Sequence, residues 1–193
     1  DTDRAPYARW VEESEDIKER LSCDRAKEYP FLLVSNHPRW RVHAQNDDAQ
    51  WIREIRTCKI TGPDGYQYEP IWINPVDAEP LGIKDNDIVR IFNERGWVMG
   101  AAIVTDRIAP NTLLQDHGAR CDPIEPGVSD RGGANNLIAP HKCASKNTVA
   151  ENTSGYLVGI EKVDVFELAK QYPEAFNKPY KTGHGVDICD WIA

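Results

Sequence analysis

From Tyr29 onwards, the chain alternates apolar runs rich in Val and Ile with clusters of Gly, Pro, Asn and Asp. Short apolar runs bounded by turn residues are typical of β-strands. The pattern therefore predicts a mainly β domain with a few short helices. Its strands are expected near 31–35, 39–44, 69–73, 87–93, 97–105, 112–117 and 156–163.

Two short helices are predicted between and after these strands. The first, near 76–81, has a full set of start and stop signals, namely Asn74, Pro75, Asp77 and Gly82. The second, over 165–172, begins after a potential capping residue, Asp164. Residues 1–29 are predicted as a lead-in segment from an upstream region, 30–165 as the β domain, and 166–193 as a C-terminal helix and tail.

Charge and cysteine usage exclude several classes of protein. The 193 residues include 31 Asp and Glu against 23 Lys and Arg, a formal net charge of −8, which opposes non-specific binding to nucleic acid or to an anionic membrane. No apolar run approaches the roughly 18 to 20 residues of a membrane span. The five cysteines are scattered, odd in number and without a C-x-x-C pair, which predicts reduced, mostly structural thiols.

The segment SNHPRWRVHAQ, residues 35–45, is the first that could carry chemistry. If it is extended, its odd-numbered side chains share one entirely polar face, made of Ser35, His37, Arg39, Arg41, His43 and Gln45. Guanidinium groups bind phosphate through paired donors, so this face suits an anionic ligand. The alternative is a solvent-facing strand whose charges are neutralised by Asp47, Asp48 and Glu54, and Pro38 argues against a regular central strand.

Asp77 is the second candidate, at the start of the helix predicted near 76–81. A carboxylate there can simply accept hydrogen bonds from backbone N–H groups. The functional alternative is that its two oxygens match the adjacent N–H and NH₂ donors on the pairing edge of a guanine, by the logic that pairs bidentate groups with base edges.

A long polar run from Gln115 to Lys146 is the third candidate. A strand ending in Gln115, Asp116 and His117 leads into a long polar loop. Long loops without secondary structure are usually functional or disordered. Asn135 and Asn136 can each donate and accept hydrogen bonds, which suits a pterin or purine edge, and Lys146 adds a positive charge. A turn role is the alternative for the two asparagines.

Other catalytic and metal-binding motifs are absent from the sequence, including the P-loop, G-x-G-x-x-G, G-x-S-x-G and H-E-x-x-H. His37 and His43 could meet a metal ion, but no acidic or thiolate partner lies near them in sequence, so no metal site is predicted. No catalytic residue is assigned to this chain.

Taken in order, the three segments resemble the C-terminal domain of the dimethyl sulfoxide reductase family of molybdenum and tungsten enzymes. The resemblance covers residues 29–163 and rests on HPRWRVHAQ, on INPVDA with GIKDNDIVRI, and on an Asn-bearing loop before the last strand. Within the family, these motifs are most similar to those of large subunits like that of pyrogallol–phloroglucinol transhydroxylase. Asn86 stands where Gly is common, which Asn can accommodate because it tolerates the left-handed conformation.

The resemblance implies a six-stranded double-psi β-barrel that binds molybdopterin guanine dinucleotide carrying Mo or W. It implies that Asn74 and Asp77 lie at the guanine end of the cofactor. It places Ser35, His37, Arg41, His43, Asp116, His117 and Asn135 toward the pterin and phosphates. The ligand of the metal would come from a domain outside this chain, and the partners would be upstream domains of the same large subunit and an iron–sulfur subunit.

Because residue 1 is Asp rather than Met, the chain is expected to be a fragment or a processed product, holding the cofactor without performing the chemistry alone. The competing hypothesis is a free-standing, non-catalytic β-barrel module that binds an anionic ligand or nucleotide through Arg39, Arg41 and Lys146. A small autonomous enzyme using Asp116 and His117 is disfavoured, because adjacent residues of a strand point to opposite faces.

Overall fold

The computed structural model describes residues 7, 18–47, 49–141, 143–151 and 154–177. Its strands are β1 (Phe31–Val34), β2 (Ile60–Thr61), β3 (Gln67–Tyr68), β4 (Pro70–Ile73), β5 (Ile88–Asn93), β6 (Gly96–Val104), β7 (Thr112–Leu114), β8 (Pro123–Glu125), β9 (Ser129–Asp130), β10 (Cys143–Ser145), β11 (Thr148–Glu151) and β12 (Tyr156–Lys162). Its helices are α1 (Gln50–Arg53), α2 (Pro75–Ala78), α3 (Val165–Gln171) and α4 (Pro173–Phe176). Two single 3₁₀ turns occur at Asp24–Lys27 and Asn135–Leu137.

Six strands close into a barrel. The order of neighbours is β4-β7-β1-β12-β5-β6, and β6 pairs back onto β4. Strand directions are mixed, because β1 runs parallel to β7 and β4 parallel to β6 while the other four pairings are antiparallel. The predicted mainly β class and six-stranded barrel are therefore confirmed.

The two faces of the barrel wall pack against different cores, as the two-residue period of a strand requires. In β5, Val89 faces the barrel interior and Ile88 faces outwards; in β6, Val98 faces inwards and Met99 outwards. The interior core includes Leu33, Ile71, Ile73, Ile91, Leu113, Tyr156 and Val158. The outer core packs the β2–β3 hairpin and α3 onto the wall, with Tyr66, Tyr68, Val165 and Leu168 among its members.

Most predicted elements are confirmed, and their boundaries have local causes. Asn74 caps α2 by accepting from the backbone N–H of Val76 at 3.0 Å, although the helix is shorter than predicted. Asp164 caps α3 by accepting from the N–H groups of Phe166 and Glu167. Asn86 adopts the expected left-handed conformation, with φ of 69°.

One predicted strand is wrong: 39–44 forms bends and turns with a single isolated bridge between Val42 and Gln45. The two-residue strands β2, β3 and β9 were not predicted, because two residues are too few to show a period. Within the described residues, no helix is long and apolar enough to cross a lipid bilayer. Residues 8–17 of the predicted lead-in segment, the tail after residue 177 and Cys189 lie outside the described residues.

Candidate functional site

The run from Ser35 to Gln45 does not present one continuous polar face. It leaves β1 at Val34 and bends, so its side chains go to different environments. Ser35 is buried and accepts a hydrogen bond from Asn135 Nδ2 at 2.9 Å, while Arg39 is exposed and stacks over the Trp40 ring at 4.7 Å. The prediction that Arg41 shares one polar face with Arg39 is therefore wrong, because Arg41 turns into the protein.

Arg41 belongs to a buried ion cluster. Its Nη1 donates to Asp47 Oδ1 and to Glu69 Oε1, each at 2.9 Å. Lys59 pairs with both carboxylates, and Arg53 Nη1 donates to the Asp47 carbonyl at 2.7 Å. Burial alone would raise the pKa of Asp47, but Lys59, Arg41 and Arg53 outweigh it and lower that pKa below its ordinary value. The predicted neutralisation by Asp47 thus occurs, but in the interior rather than at the surface.

The ion cluster also holds the backbone next to the site. Arg41 Nη2 donates to the carbonyl of His117 at 3.1 Å, and the N–H of Arg120 donates to Asp47 Oδ2 at 3.2 Å. A charged group that donates into a neighbouring loop restrains that loop. Arg41 and its partner Asp47 therefore hold the 117–120 segment at both of its ends.

His37, His43 and His117 form a histidine cluster at the surface. The ring centroids are 4.3 Å apart for His37 and His117, 5.0 Å for His43 and His117, and 5.1 Å for His37 and His43. His117 Nε2 lies 3.1 Å from His43 Nδ1. Because the three residues come from two segments far apart in sequence, only the fold brings them together.

Two features of the backbone bring the three histidines together: continued β1–β7 pairing and a close approach at Gly118. The parallel pairing of β1 and β7 continues past the strands, with the N–H of Gln115 donating to the Val34 carbonyl and the N–H of His117 to the Asn36 carbonyl, both at 3.1 Å. That continuation sets His117 beside His37. Gly118 then allows the chain to close, since a Cβ at this position would lie 2.3 Å from the backbone of His43, which itself has φ of 52°.

Two titratable groups beside the cluster have shifted pKa values. Burial together with the neighbouring charges of His37 and His43 lowers the pKa of His117. Burial, and then Glu69, raises the pKa of Asp116, against the opposing effect of Arg41. Both shifts favour neutral groups at this end of β7.

Asn74 and Asp77 lie at the other end of β7. The Asn74 side chain is fully used within the protein, because its Oδ1 caps α2 and its Nδ2 donates to the Ile108 carbonyl at 2.6 Å. Asp77 Oδ2 accepts from the N–H of Asn111 at 2.8 Å. No described residue donates a hydrogen bond to Asp77 Oδ1, so one oxygen of the half-buried carboxylate is without a partner among the described residues.

The remaining predicted residues are spread more widely. Asn135 is buried and donates to Ser35 and to the Gln115 carbonyl, so it ties the long loop to the histidine end of β7. Asn136 follows it in the same 3₁₀ turn and is exposed. Lys146 is exposed in the turn between β10 and β11.

The distance between the two groups of residues follows from β7. Asn111, which donates to Asp77, directly precedes β7, and His117, which belongs to the histidine cluster, lies three positions after it. Because Asn111 is left-handed, with φ of 58°, the six positions span less than the roughly 20 Å of a fully extended chain. The predicted residues thus form two separate polar groups at opposite ends of β7. An elongated ligand with two different ends requires such an arrangement.

The sequence did not point to Glu69, Lys59 or Gly118 as parts of this region. Glu69 and Lys59 read as ordinary charged residues beside short strands, and only their burial shows that they hold Arg41. Gly118 was visible as a glycine directly after His117, but its role depends on His43, which lies 75 positions earlier in the numbering.

The chain matches a protein-family model described as "Molydopterin dinucleotide binding domain" over residues 31–153, which is more than half of its length. It is 36% identical to trimethylamine-N-oxide reductase 1 of Escherichia coli K12 over 140 residues, covering 71% of this chain and 16% of that protein. It is 35% identical to the pyrogallol hydroxytransferase large subunit of Pelobacter acidigallici over 143 residues, covering 72% of this chain and 16% of that subunit.

A solved structure, acetylene hydratase from Pelobacter acetylenicus, superposes with a TM-score of 0.58 at 14% identity, covering 78% of this chain and 21% of that one. At that identity the likeness concerns the fold alone. The chain spans about one-sixth of the length of the two curated relatives.

Proposed function

Because the chain belongs to the molybdopterin dinucleotide-binding domain family, within the dimethyl sulfoxide reductase family of molybdoenzymes, it binds a molybdopterin dinucleotide, and we propose that it holds the two ends of this cofactor at the two ends of β7. The observation that carries the proposal is that Asp77 and the histidine cluster lie at the two ends of β7. Family membership favours this hypothesis over the free-standing module.

The donors and acceptors of the chain fit such a cofactor. The histidine cluster and Arg39 offer exposed ring and guanidinium nitrogens, which suit the phosphates and heterocycle of a pterin nucleotide. Asp77 offers an acceptor at the opposite end of β7. The buried ion cluster keeps its carboxylates paired with Arg41, Lys59 and Arg53, so they do not repel a phosphate bound nearby.

At the guanine end, Asp77 is the proposed recognition residue. Its Oδ2 is fixed by the Asn111 N–H, and this contact orients the other oxygen. A carboxylate held in this way can accept from the N–H and NH₂ donors of a guanine. Asn74 acts indirectly, by capping α2 and binding the Ile108 carbonyl, and so positions the helix that carries Asp77.

At the pterin and phosphate end, the proposed contacts come from the residues around the C-terminal ends of β1 and β7. Arg41 and Asn135 contribute by positioning, since the Nη atoms of Arg41 and the Nδ2 atom of Asn135 donate to Glu69, Asp47, Ser35 and nearby carbonyls. The proposed group is Ser35, His37, Arg39, Arg41, His43, Asp116, His117, Asn135, Asn136 and Lys146.

The molybdenum-bearing cofactor supplies the redox or hydroxyl-transfer chemistry, and the protein supplies placement and electrostatics. We assign to this chain the second task only: it binds, orients and partly shields the dinucleotide. The remaining domains of the large subunit would supply the metal ligand, and the whole protein would be an oxidoreductase or transhydroxylase. Those domains, and an iron–sulfur subunit, are the proposed partners.

The test is Asp77→Asn in the purified protein, with cofactor quantified as extracted pterin and guanine nucleotide per protein. The amide still accepts from Asn111 N–H, so the fold is kept, but its NH₂ group opposes the guanine donors. Because a bidentate pair to a base contributes about 1–3 kcal/mol, we expect a loss of affinity for the intact dinucleotide of about tenfold or more.

Glu79→Gln is the matched control, because it removes one exposed negative charge immediately after the same helix. Cofactor content should stay at the wild-type level in this variant. If Asp77→Asn retains wild-type affinity and wild-type guanine content, Asp77 does not read the guanine and the proposed orientation along β7 is wrong.

A further inference from the structure

The histidine cluster has a geometry that a cofactor-contact role does not require. The ligating nitrogens of His37, His43 and His117 all lie within 4.8 Å of one another, and the closest pair is separated by 3.1 Å. Nitrogens bound about 2.0–2.1 Å from a tetrahedral Zn²⁺ are about 3.3 Å apart. The closest pair is therefore near the spacing of one metal-ion site, and small rotations of the exposed rings would bring the third nitrogen to it.

The surroundings of the cluster also suit a metal ion. His117 is partly buried and faces the rings of His37 and His43. Among the described residues, neither ring nitrogen of His37 has a hydrogen-bond partner.

The backbone that carries two of the three histidines is held by tertiary contacts. His117 is fixed by the extended β1–β7 pairing and by Arg41, and His43 is fixed by the close approach of Gly118. Arg41, which donates to the His117 carbonyl, is paired with Asp47 and Glu69 in the interior. Preorganised ligands lose little conformational entropy on binding, which favours affinity.

We propose that His37, His43 and His117 bind one divalent transition-metal ion of the Zn²⁺, Ni²⁺ and Co²⁺ class when the dinucleotide is absent. Three nitrogens on one side of the ion leave further positions open to solvent, as in three-histidine sites. The proposed cofactor contacts use the same imidazoles, so the two ligands exclude one another. The inference does not depend on the assignment of Asp77 and goes beyond the proposed function.

The experiment titrates Ni²⁺, and separately Co²⁺, into the cofactor-free chain without a polyhistidine tag, by calorimetry and by the visible absorption of Co²⁺. We expect one ion per chain. His37→Ala, His43→Ala and His117→Ala should each weaken binding by on the order of a hundredfold, because each removes one of three ligands. His141→Ala, an exposed histidine outside the cluster, should bind like the wild type.

Thermal unfolding without metal checks that the alanine variants are folded, and Gly118→Ala adds a variant that keeps all three ligands but displaces His43. We expect this variant to bind more weakly as well. The proposal is overturned if the wild-type chain shows no saturable binding, or if binding survives in all three cluster variants, as it would at the exposed thiols of Cys121 and Cys143.

Discussion

At the scale of single residues, Arg39 and Arg41 show how far equivalent sequence positions can diverge. Both belong to one short polar run, and an extended chain would place both guanidiniums on one face. In the structure Arg39 is exposed over Trp40, whereas Arg41 is 5% exposed between Asp47 and Glu69. The difference arises because paired, buried carboxylates hold a guanidinium more strongly than solvent or a surface ring does.

These two arginines make a matched pair for a stability measurement. Arg41→Ala should reduce the free energy of unfolding by about 3 kcal/mol, because removing one partner leaves buried charges uncompensated. Arg39→Ala should change it by about 0.5 kcal/mol or less, as is usual for an exposed side chain. Urea unfolding at neutral pH measures both, and equal effects of the two substitutions would show that Arg41 is not a structural charge.

The pH dependence of stability should report Asp47. A carboxyl group whose pKa is lower in the folded than in the unfolded state stabilises the fold above its ordinary pKa, and this stabilisation is lost as the pH falls through the lowered value. We therefore expect Asp47→Asn to be less stable than the wild type at neutral pH, with a difference that shrinks below about pH 4. Unfolding titrations between about pH 7 and pH 3 test this, with the exposed Asp106→Asn as control.

At the scale of elements, strands and helices that local sequence encodes were predictable. Segments whose conformation depends on tertiary contacts were not. β5, β6 and β12 have the alternation or continuous apolar run of a strand, and Asn74 and Asp164 provide visible caps. By contrast, residues 39–44 carry strand-like alternation but bend, because Arg41 is drawn inwards and His43 adopts a left-handed conformation. A local period cannot anticipate a charge partner such as Glu69, 28 residues away.

The segment before β1 offers a prediction at this scale. Glu19 is buried, accepts from the backbone N–H of Leu157 in β12 at 2.6 Å, and pairs with Arg25 and Arg95. Glu19→Ala should lower the free energy of unfolding by about 2–3 kcal/mol, since a buried N–H loses its partner and two arginines lose theirs.

Asp24→Ala is the control for Glu19→Ala, because Asp24 pairs with Lys27 at the surface, where ion pairs contribute little. Chemical unfolding of both variants gives the comparison. A Glu19→Ala variant as stable as Asp24→Ala would mean that the lead-in residues are not part of the folded domain.

At the scale of the whole molecule, barrel closure decides cooperativity. Each of the six barrel strands pairs with two others of the barrel, and the β4–β6 pairing closes the six-stranded ring. The interior core is shared by all of these strands. No barrel strand can therefore separate without disrupting the core of the others.

Leu33→Ala tests this closure. Leu33 is fully buried in the barrel interior, so the substitution should cost about 2–5 kcal/mol and lower a single unfolding transition seen equally by tryptophan fluorescence and far-UV circular dichroism. The neighbouring Leu32, which is only half-buried, should cost less when replaced by Ala. Two separate transitions in the Leu33→Ala variant would contradict a cooperative barrel.

Taken alone, the sequence determined the mainly β class, the acidic surface, most strands and both helix caps, because these depend on neighbours a few residues apart. Its motifs also pointed to the family and to Asn74 and Asp77 as a pair. Only the tertiary structure decided that Arg41 is internal, that His117 joins His37 and His43, and that Asp77 and the histidine cluster lie at opposite ends of β7. These features depend on strand pairings and burial that join residues far apart in the chain, and no local pattern encodes them.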